Sequence, residues 1–479
     1  MNNKKTLLVI YLFLGVFALV SQTMILREFF VVVYGNEFIF AVLLTNWLIG
    51  VFAGASIGGV TAEKSRDGAG LFLGSIILVC LLLPVSITCV RFLYWISGTQ
   101  AGIYIGFIKV FLYSGLLIIP ISFLIGFAFP AAVKIRSNKK IESDAPGRVE
   151  NVSIIYIYEA LGSLAGGFLY TFYWVGRFNS YFIISMIVLP LLAGVVWLSW
   201  KRRYWWMFGF TFLPILLTIA MIFPPVNEFL DRVTVEKRWN SVSSVPLVYS
   251  KDSKYQNIAV GQLLNQSTLY LNTMTSSTFP NDTDNMVLAA HLMCQHRSPR
   301  RVLVIGDAVS GLARFLLKYP VTEVVSVEID PAVVKTILKF LPEEDKTVMS
   351  DRRFKILFQD GRKYIKELMK QKRTVGKEFS GVFDIVYVNV AEPSTLLSNR
   401  YYTQEFFKDV SGILGEKGVL VLKVTSSESY SGGIITDYTA SVFRTVSSVF
   451  PSIAVTPGVQ NFIFASCDSS GVTTDYGLL

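Results

Sequence analysis

The stretch Val302–Asp330, VLVIGDAVSGLARFLLKYPVTEVVSVEID, decides the fold. Four apolar residues deliver the chain to a turn at Gly306, a helix-like segment follows, and a second apolar run ends on Glu328. Strand, loop, helix and strand in this order open a nucleotide-binding α/β unit, in which a loop and a helix N-terminus present backbone amides to a ligand. An acidic side chain about 20 residues past the loop, here Glu328, is suited to accept both hydroxyls of a ribose.

The alternation continues downstream. Strand-like runs occur at Phe354–Phe358, Ile385–Val388 and Val419–Val424, separated by helix-like segments at Ala332–Phe340, Tyr364–Gln371 and Thr403–Leu414, with Gly311–Lys318 as the first helix. Parallel strands joined by helical crossovers make a doubly wound sheet whose ligand lies beyond the strands' carboxyl ends. Gly306, Glu328, Asp360 and Asn389 all fall at such ends, and this convergence weighs more than any single motif. Upstream, SKYQNIAVGQLL and STLYLNTMTSS alternate as a β-hairpin, and residues 225–245 read as a polar connector.

The N-terminal half has a different character. The 479 residues are 52% hydrophobic and only 16% charged, too many for one compact domain and too apolar to be all in water. Apolar stretches long enough to cross a bilayer lie near 6–26, 37–61, 70–97, 104–133, 153–175, 179–200 and 204–224. Through Pro224 there are 16 Lys and Arg against 8 Asp and Glu, so most of the net charge of +10 is loop charge around these spans. That distribution argues against a nucleic-acid footprint. Lys4, Lys5, Lys64, Arg66, Lys134, Arg136 and Lys201–Arg203 fall on alternate loops, while the opposite loops hold Arg27 and Arg177, which places the N-terminus in the cytoplasm.

Seven crossings would leave the C-terminal half outside; two segments could change the parity. Residues 26–36 (LREFFVVVYGN) are short enough to re-enter or lie flat, and 204–224 opens on Tyr204-Trp205-Trp206, an interfacial signature. Small residues at Gly50, Gly54, Gly58 and Gly59, and at Gly162, Ser163, Gly166 and Gly167, suit close helix contact. Arg91, Lys109 and Glu159 lie near enough to span ends for their stems to reach water. Four cysteines give no disulfide framework, and two histidines, His291 and His296, give a metal almost nothing to bind; no metal is expected.

A set of ordered motifs now becomes specific. YQNI, a Leu-Asn turn, HRSPRRVLVIGDAVSG, VEID, QDG, VNVAEP and YYTQEFF, in this order, resemble the polyamine aminopropyltransferase (spermidine synthase) family, in its membrane-fused branch. The resemblance spans roughly residues 250–430 and implies a donor of the decarboxylated S-adenosylmethionine or S-adenosylmethionine type, used as co-substrate, with no tightly bound cofactor, and a polyamine acceptor. It implies that Glu328 holds the ribose hydroxyls and Asp360, with Gly361, the adenine amine. Gly306 and Gly311 would let the loop approach the nucleoside, and Gln256 would line the site.

The departures from the pattern fall on the chemistry. The family's GGGDGG is here Gly306-Asp307-Ala308-Val309-Ser310-Gly311, so Val309 replaces the aspartate that pairs the donor's amine. In VNVAEP, Asn389 stands where the family has the aspartate that helps deprotonate the attacking amine, and an amide cannot take up that proton at neutral pH. Glu392 keeps a carboxylate nearby, as a displaced base or as the replacement of the pattern's second aspartate. Asn272 stands in the LDG turn, and Asp307 offers a carboxylate two positions from the lost one.

The expected architecture is therefore a multi-pass α-helical membrane domain (1–224), the connector (225–245), and a Rossmann-like α/β domain of the class I methyltransferase type with a small N-terminal β-hairpin (246–479). Partners would be the lipid bilayer, a nucleoside donor, a polyamine acceptor and a second copy of the chain in a homo-oligomer. Two functions stay open. One is aminopropyl, or related, group transfer with Asn389 and Glu392 at the reacting amine; the other is a pseudoenzyme that binds a nucleoside or polyamine and regulates the membrane domain.

Overall fold

The computed structural model describes residues 3–99, 105–137, 146–306, 309–375, 382–427, 432–458 and 460–475. Two compact units emerge: Met1–Ala259 with Leu271–Met274, and Val260–Tyr270 with Thr275–Leu479.

The first unit is helical: α1 (Asn3–Val32), α2 (Glu37–Lys64), α3 (Gly68–Arg91), α4 (Leu93–Ser97), α5 (Phe107–Ser137), α6 (Pro146–Leu169), α7 (Ser180–Arg202), α8 (Trp205–Ala220) and α9 (Pro224–Trp239). Six of these are long and apolar enough to cross a membrane, or seven if α8 and α9, bent by 85° at their junction, count as one span. Polar side chains start the helices where the sequence turns. Asn36 caps α2 by accepting from Ile39 N at 3.0 Å, and Asn179 caps α7 through Phe182 N at 2.9 Å. Backbones pack closely where glycine permits it. A Cβ at Gly54 would overlap the Phe123 carbonyl of α5, and one at Gly162 the Leu12 carbonyl of α1, whereas Gly59 faces open space.

Three expectations for this half change. Residues 26–32 neither re-enter nor lie flat; they complete α1, because Arg27 and Glu28 find partners at its end. The connector is mostly the helix α9, whose Asp231, Thr234 and Arg238 face other helices rather than water. Arg91 does not reach out to water: it is 3% exposed and held by Glu28, Asp231, Thr234 and Ser180.

Four strands follow in one sheet of order β1–β2–β3–β4: β1 (Leu247–Asp252), β2 (Asn257–Leu263), β3 (Gln266–Leu271) and β4 (Met274–Phe279). The two runs read as a hairpin hold β2 and β3; Asn272 (φ 48°) and Thr273 (φ 66°) turn the chain inside the second run to give β4, and β1 precedes the first run.

The second unit carries β5 (Arg301–Gly306), β6 (Glu323–Glu328), β7 (Phe354–Phe358), β8 (Phe383–Asn389), β9 (Leu414–Thr425), β10 (Ser452–Thr456) and β11 (Gln460–Ser466) in one sheet of order β10-β11-β9-β8-β5-β6-β7. From β9 through β7 neighbours are parallel, and β11 is antiparallel to both its neighbours. The helices are α10 (Asp282–Cys294), α11 (Leu312–Leu316), α12 (Pro331–Phe340), α13 (Glu343–Lys346), α14 (Gly361–Val375), α15 (Leu396–Asn399), α16 (Gln404–Ile413) and α17 (Gly433–Ser447). Central strands are buried on both faces, hence the unbroken apolar run Val302–Ile305. Helix α16 shows the complementary pattern, burying Phe406, Phe407, Val410 and Ile413 on one stripe. This is a Rossmann-like α/β fold of the methyltransferase type, closed at one edge by an antiparallel pair.

Candidate functional site

The order β8-β5-β6-β7 places the carboxyl ends of four parallel strands side by side. At a strand spacing of about 4.8 Å, the row from Asn389 to Asp360 is roughly 14 Å long. Gly306 and Asn389 are register partners, and Glu328 ends the neighbouring β6 opposite Phe358 of β7, two residues before Asp360. Glu328, Asp360 and Asn389 are all half-buried, a rim rather than a core position.

Local geometry explains each placement. Gly306 has φ 106°, and a Cβ there would overlap the Asn389 carbonyl, so the end of β5 must be glycine to lie against β8. Gly311 (φ 122°) precedes α11, and its missing side chain leaves room for Asn285 of α10, whose Nδ2 donates to Ser310 O at 3.4 Å. Gly361 opens α14 directly over Ile305: a Cβ there would come within 2.6 Å of Ile305 Cγ2. Glu328 Oε1 accepts from Asp330 N at 3.0 Å, and buried Asp330 in turn caps α12 through Ala332 N at 3.0 Å. Asp360 has two structural duties. Oδ1 caps α14 through Lys363 N at 2.9 Å, and Oδ2 takes a hydrogen bond from Arg400. A carboxylate offers about four lone-pair directions, so neither duty bars a further donor.

The helix after β5 is shorter than expected. α11 covers one turn before Tyr319 and Pro320 break it, so its dipole is small, and α11 itself is held by side chains. Arg314 of α11 pairs with Asp282 of α10, with Glu344 at 3.0 Å and with Asp345 at 2.6 Å. Burial raises the Asp345 carboxyl above the usual range even though Arg314 opposes the shift. No local pattern signals this fastening, because its members are distant in the chain.

Val309 is buried, 6% exposed, so the residue in the lost aspartate's place is packed among other side chains. Asp307 and Ala308 lie outside the described residues. Beyond Asn389, Glu392 is exposed, and Tyr402 Oη donates at 3.4 Å to the Val390 and Ala391 carbonyls that lead to it. Burial first, then the Glu392 charge, push the Tyr402 phenol well above its ordinary value, so Tyr402 stays a neutral donor. Tyr438 of α17 is raised in the same way, by burial and then by Tyr402 and Glu392. Tyr387 is fully buried in β8 and belongs to the core. His291 bonds the Val287 carbonyl of its own helix at 2.9 Å, and half-buried His296 accepts from Ser298 N at 3.3 Å.

Gln256 belongs to the first compact unit. There its carbonyl closes the turn between β1 and β2 by accepting from Ser253 N at 2.8 Å. Asn272 is in the same unit, where its Oδ1 accepts from Asn257 N at 2.9 Å.

Residues 284–473 match the family model of the spermine/spermidine synthase domain. The C-terminal half carries a spermine/spermidine synthase domain. A polyamine aminopropyltransferase from Prochlorococcus marinus (strain MIT 9515) is 26% identical over 259 residues, 52% of this chain and 86% of that protein. Another, from Pyrobaculum islandicum, is 29% identical over 212 residues, 43% of this chain and 67% of its own length. Among solved structures, a spermidine synthase in complex with the transition state analogue AdoDATO aligns with a TM-score of 0.39 at 24% identity, covering 47% of this chain and 75% of that one. The spermidine synthase from Thermotoga maritima gives 0.38 at 22% identity, covering 47% and 74%.

Proposed function

We propose that the chain is a membrane-bound, spermidine-synthase-like protein that holds an S-adenosyl-type nucleoside along the ends of β6 and β7 and presents its side chain toward Asn389. The observation that carries this reading is the single row formed by Gly306, Glu328, Asp360 and Asn389 on four neighbouring parallel strands. Glu328 accepts the ribose hydroxyls, Asp360 and the Gly361 turn meet the base, and Gly306 and Gly311 keep the loop thin.

In the transfer, an amine nitrogen forms a bond to the carbon beside the sulfonium as the carbon–sulfur bond breaks. The electron pair leaves with the sulfur of methylthioadenosine, and the amine sheds one proton. Positioning supplies much of such catalysis, and a base supplies the rest. Asn389 can orient the amine through its carbonyl oxygen but cannot take the proton. Glu392 is the carboxylate left to receive it, with Tyr402 as a neutral donor beside it. Putrescine aminopropylation is therefore expected to be weak, and a different amine acceptor, or methyl transfer, is the preferred outcome.

Burial of Val309 favours a second reading, a domain that binds the nucleoside without turnover. An ammonium next to a branched apolar group has no counter-charge, at a cost of several kcal/mol in rough terms. Calorimetric titration of the detergent-solubilised full chain with methylthioadenosine, S-adenosylmethionine and its decarboxylated form tests both. Binding that is lost in Glu328→Ala and Asp360→Ala supports the cradle; release of methylthioadenosine, or of S-adenosylhomocysteine if a methyl group is transferred, on adding an amine then selects the enzyme. No binding of any of the three rejects the nucleoside reading.

A further inference from the structure

We infer that the chain leaves its helical bundle at the non-cytoplasmic end, so that the α/β domain meets its ligands outside the cytoplasm. The first compact unit alone carries this topology, whatever the domain binds.

One end of that unit is basic and tied together. Lys134 at the end of α5 donates to the Ala62 and Ser65 carbonyls between α2 and α3, and Tyr204 at the start of α8 donates to Asp67 at the start of α3. Lys64, Arg66, Arg136, Lys201, Arg202 and Arg203 share these helix ends. By the bias of basic loops toward the cytoplasm, this is the inner end.

The opposite end is built around buried ions. Glu28, seven turns or so along α1 from Lys4, receives Arg91 of α3 through two bonds of 2.5 and 3.0 Å and Arg238 of α9 at 2.9 Å. Arg91 also reaches Asp231 of α9 at 2.7 Å and Thr234 at 2.9 Å, and Ser180 at the start of α7 donates to Glu28 at 2.9 Å. Next to this cluster, Arg27 donates to the Ser253 carbonyl at 2.5 Å and Thr273 to the Val31 carbonyl at 2.9 Å. Residues 227–259 and 271–273 of this unit are therefore fastened where α1 and α3 finish and α7 begins.

Helix α8 joins the two ends. Tyr204 holds its start at the basic end, and α9, reached within four residues of Ala220, is locked to Glu28 and Arg91 at the other. Sixteen residues of helix span about 24 Å, close to the apolar thickness of a bilayer when the flanking turns are added. A re-entrant α8 would return α9 to the basic end, take Asp231 and Thr234 from buried Arg91, and separate Arg238 from Glu28. The crossing number is thus seven, and among the described residues no helix after Trp239 is long and apolar enough to return.

The test uses the full chain in intact bacterial cells, with all four native cysteines replaced by alanine and single ones restored. A membrane-impermeant maleimide is expected to label Cys467, or Glu236→Cys on α9, fully before permeabilisation, and Glu63→Cys only after it. Labelling of position 467 or 236 only after permeabilisation overturns the inference, as does equal labelling of positions 63 and 236 from outside. Alkaline phosphatase fused after Leu479 of the otherwise native chain gives an independent readout. Activity is expected there, with a green fluorescent protein at the same point dark; a fluorescent and phosphatase-negative pair overturns the inference.

Discussion

Two groups of charged residues follow opposite rules in this molecule. In the helical unit, Glu28, Arg91 and Arg238 are 3–5% exposed, and each has charged partners within hydrogen-bonding distance. At the rim of the α/β sheet, Glu328 and Asp360 are half-buried and bonded to caps and turns of their own segments, Asp360 also to Arg400. A buried ion must be matched by the fold, since leaving one unpaired costs several kcal/mol, so the first group is structural cement. A rim carboxylate keeps lone pairs and water access, and is the kind of group a ligand can use. Location, more than residue type, separates the two.

The comparison breaks most readily at Arg91. Arg91→Ala leaves Glu28 short of two bonds and should destabilise the fold by about 3–5 kcal/mol. A large drop in the thermal midpoint in detergent is expected; a variant as stable as Glu392→Ala, an exposed rim position, would erase the distinction. Gly306→Ala comes next. Its φ of 106° and the overlap with the Asn389 carbonyl should cost about 1–3 kcal/mol and displace the loop, abolishing nucleoside binding in the calorimeter. Retained binding would show that the loop has slack that the geometry denies.

Glu328→Ala sharpens the other side. Losing a charged acceptor for the ribose should weaken nucleoside affinity by about 1.5–3 kcal/mol, a factor of roughly ten to a hundred or more, while the thermal midpoint hardly moves. A large midpoint shift with unchanged affinity would move Glu328 into the structural class. The smallest effect is expected at Glu323, at the opposite ends of the same strands. A hydrogen bond from Lys355 and then one from Arg301 hold its carboxyl below the usual range. A depressed folded value means that its stabilisation is present above the unfolded pKa, about 4.3, and is lost as pH falls through the folded one. The difference in urea midpoint between the native chain and Glu323→Gln should thus be largest near neutrality and shrink below about pH 4. A difference that grows on acidification would contradict the pairing.

How much was legible follows from the range of each interaction. The strand ends could be read because a two-residue alternation or an apolar run, a glycine and an acidic residue sit next to each other in the chain; Gly306, Glu328, Asp360 and Asn389 needed no distant partner to be noticed. Their common row came from the parallel register. The capping duty of Asp360 was equally local, whereas its bond to Arg400, 40 residues on, was not. From its neighbours alone Arg91 reads as a residue that reaches water, because its partners Glu28 and Asp231 lie 63 and 140 residues away.

The apolar spans, the asymmetry of basic loops and the α/β alternation could be read in the sequence alone, because all of them are properties of neighbouring residues. Only in the tertiary structure does α9 bond Glu28 and Arg91, and Arg314 of α11 pair with Asp282, Glu344 and Asp345. Each of these depends on side chains brought together from distant parts of the chain, where the desolvation of a charge leaves only a few arrangements affordable and no local pattern records which one is taken.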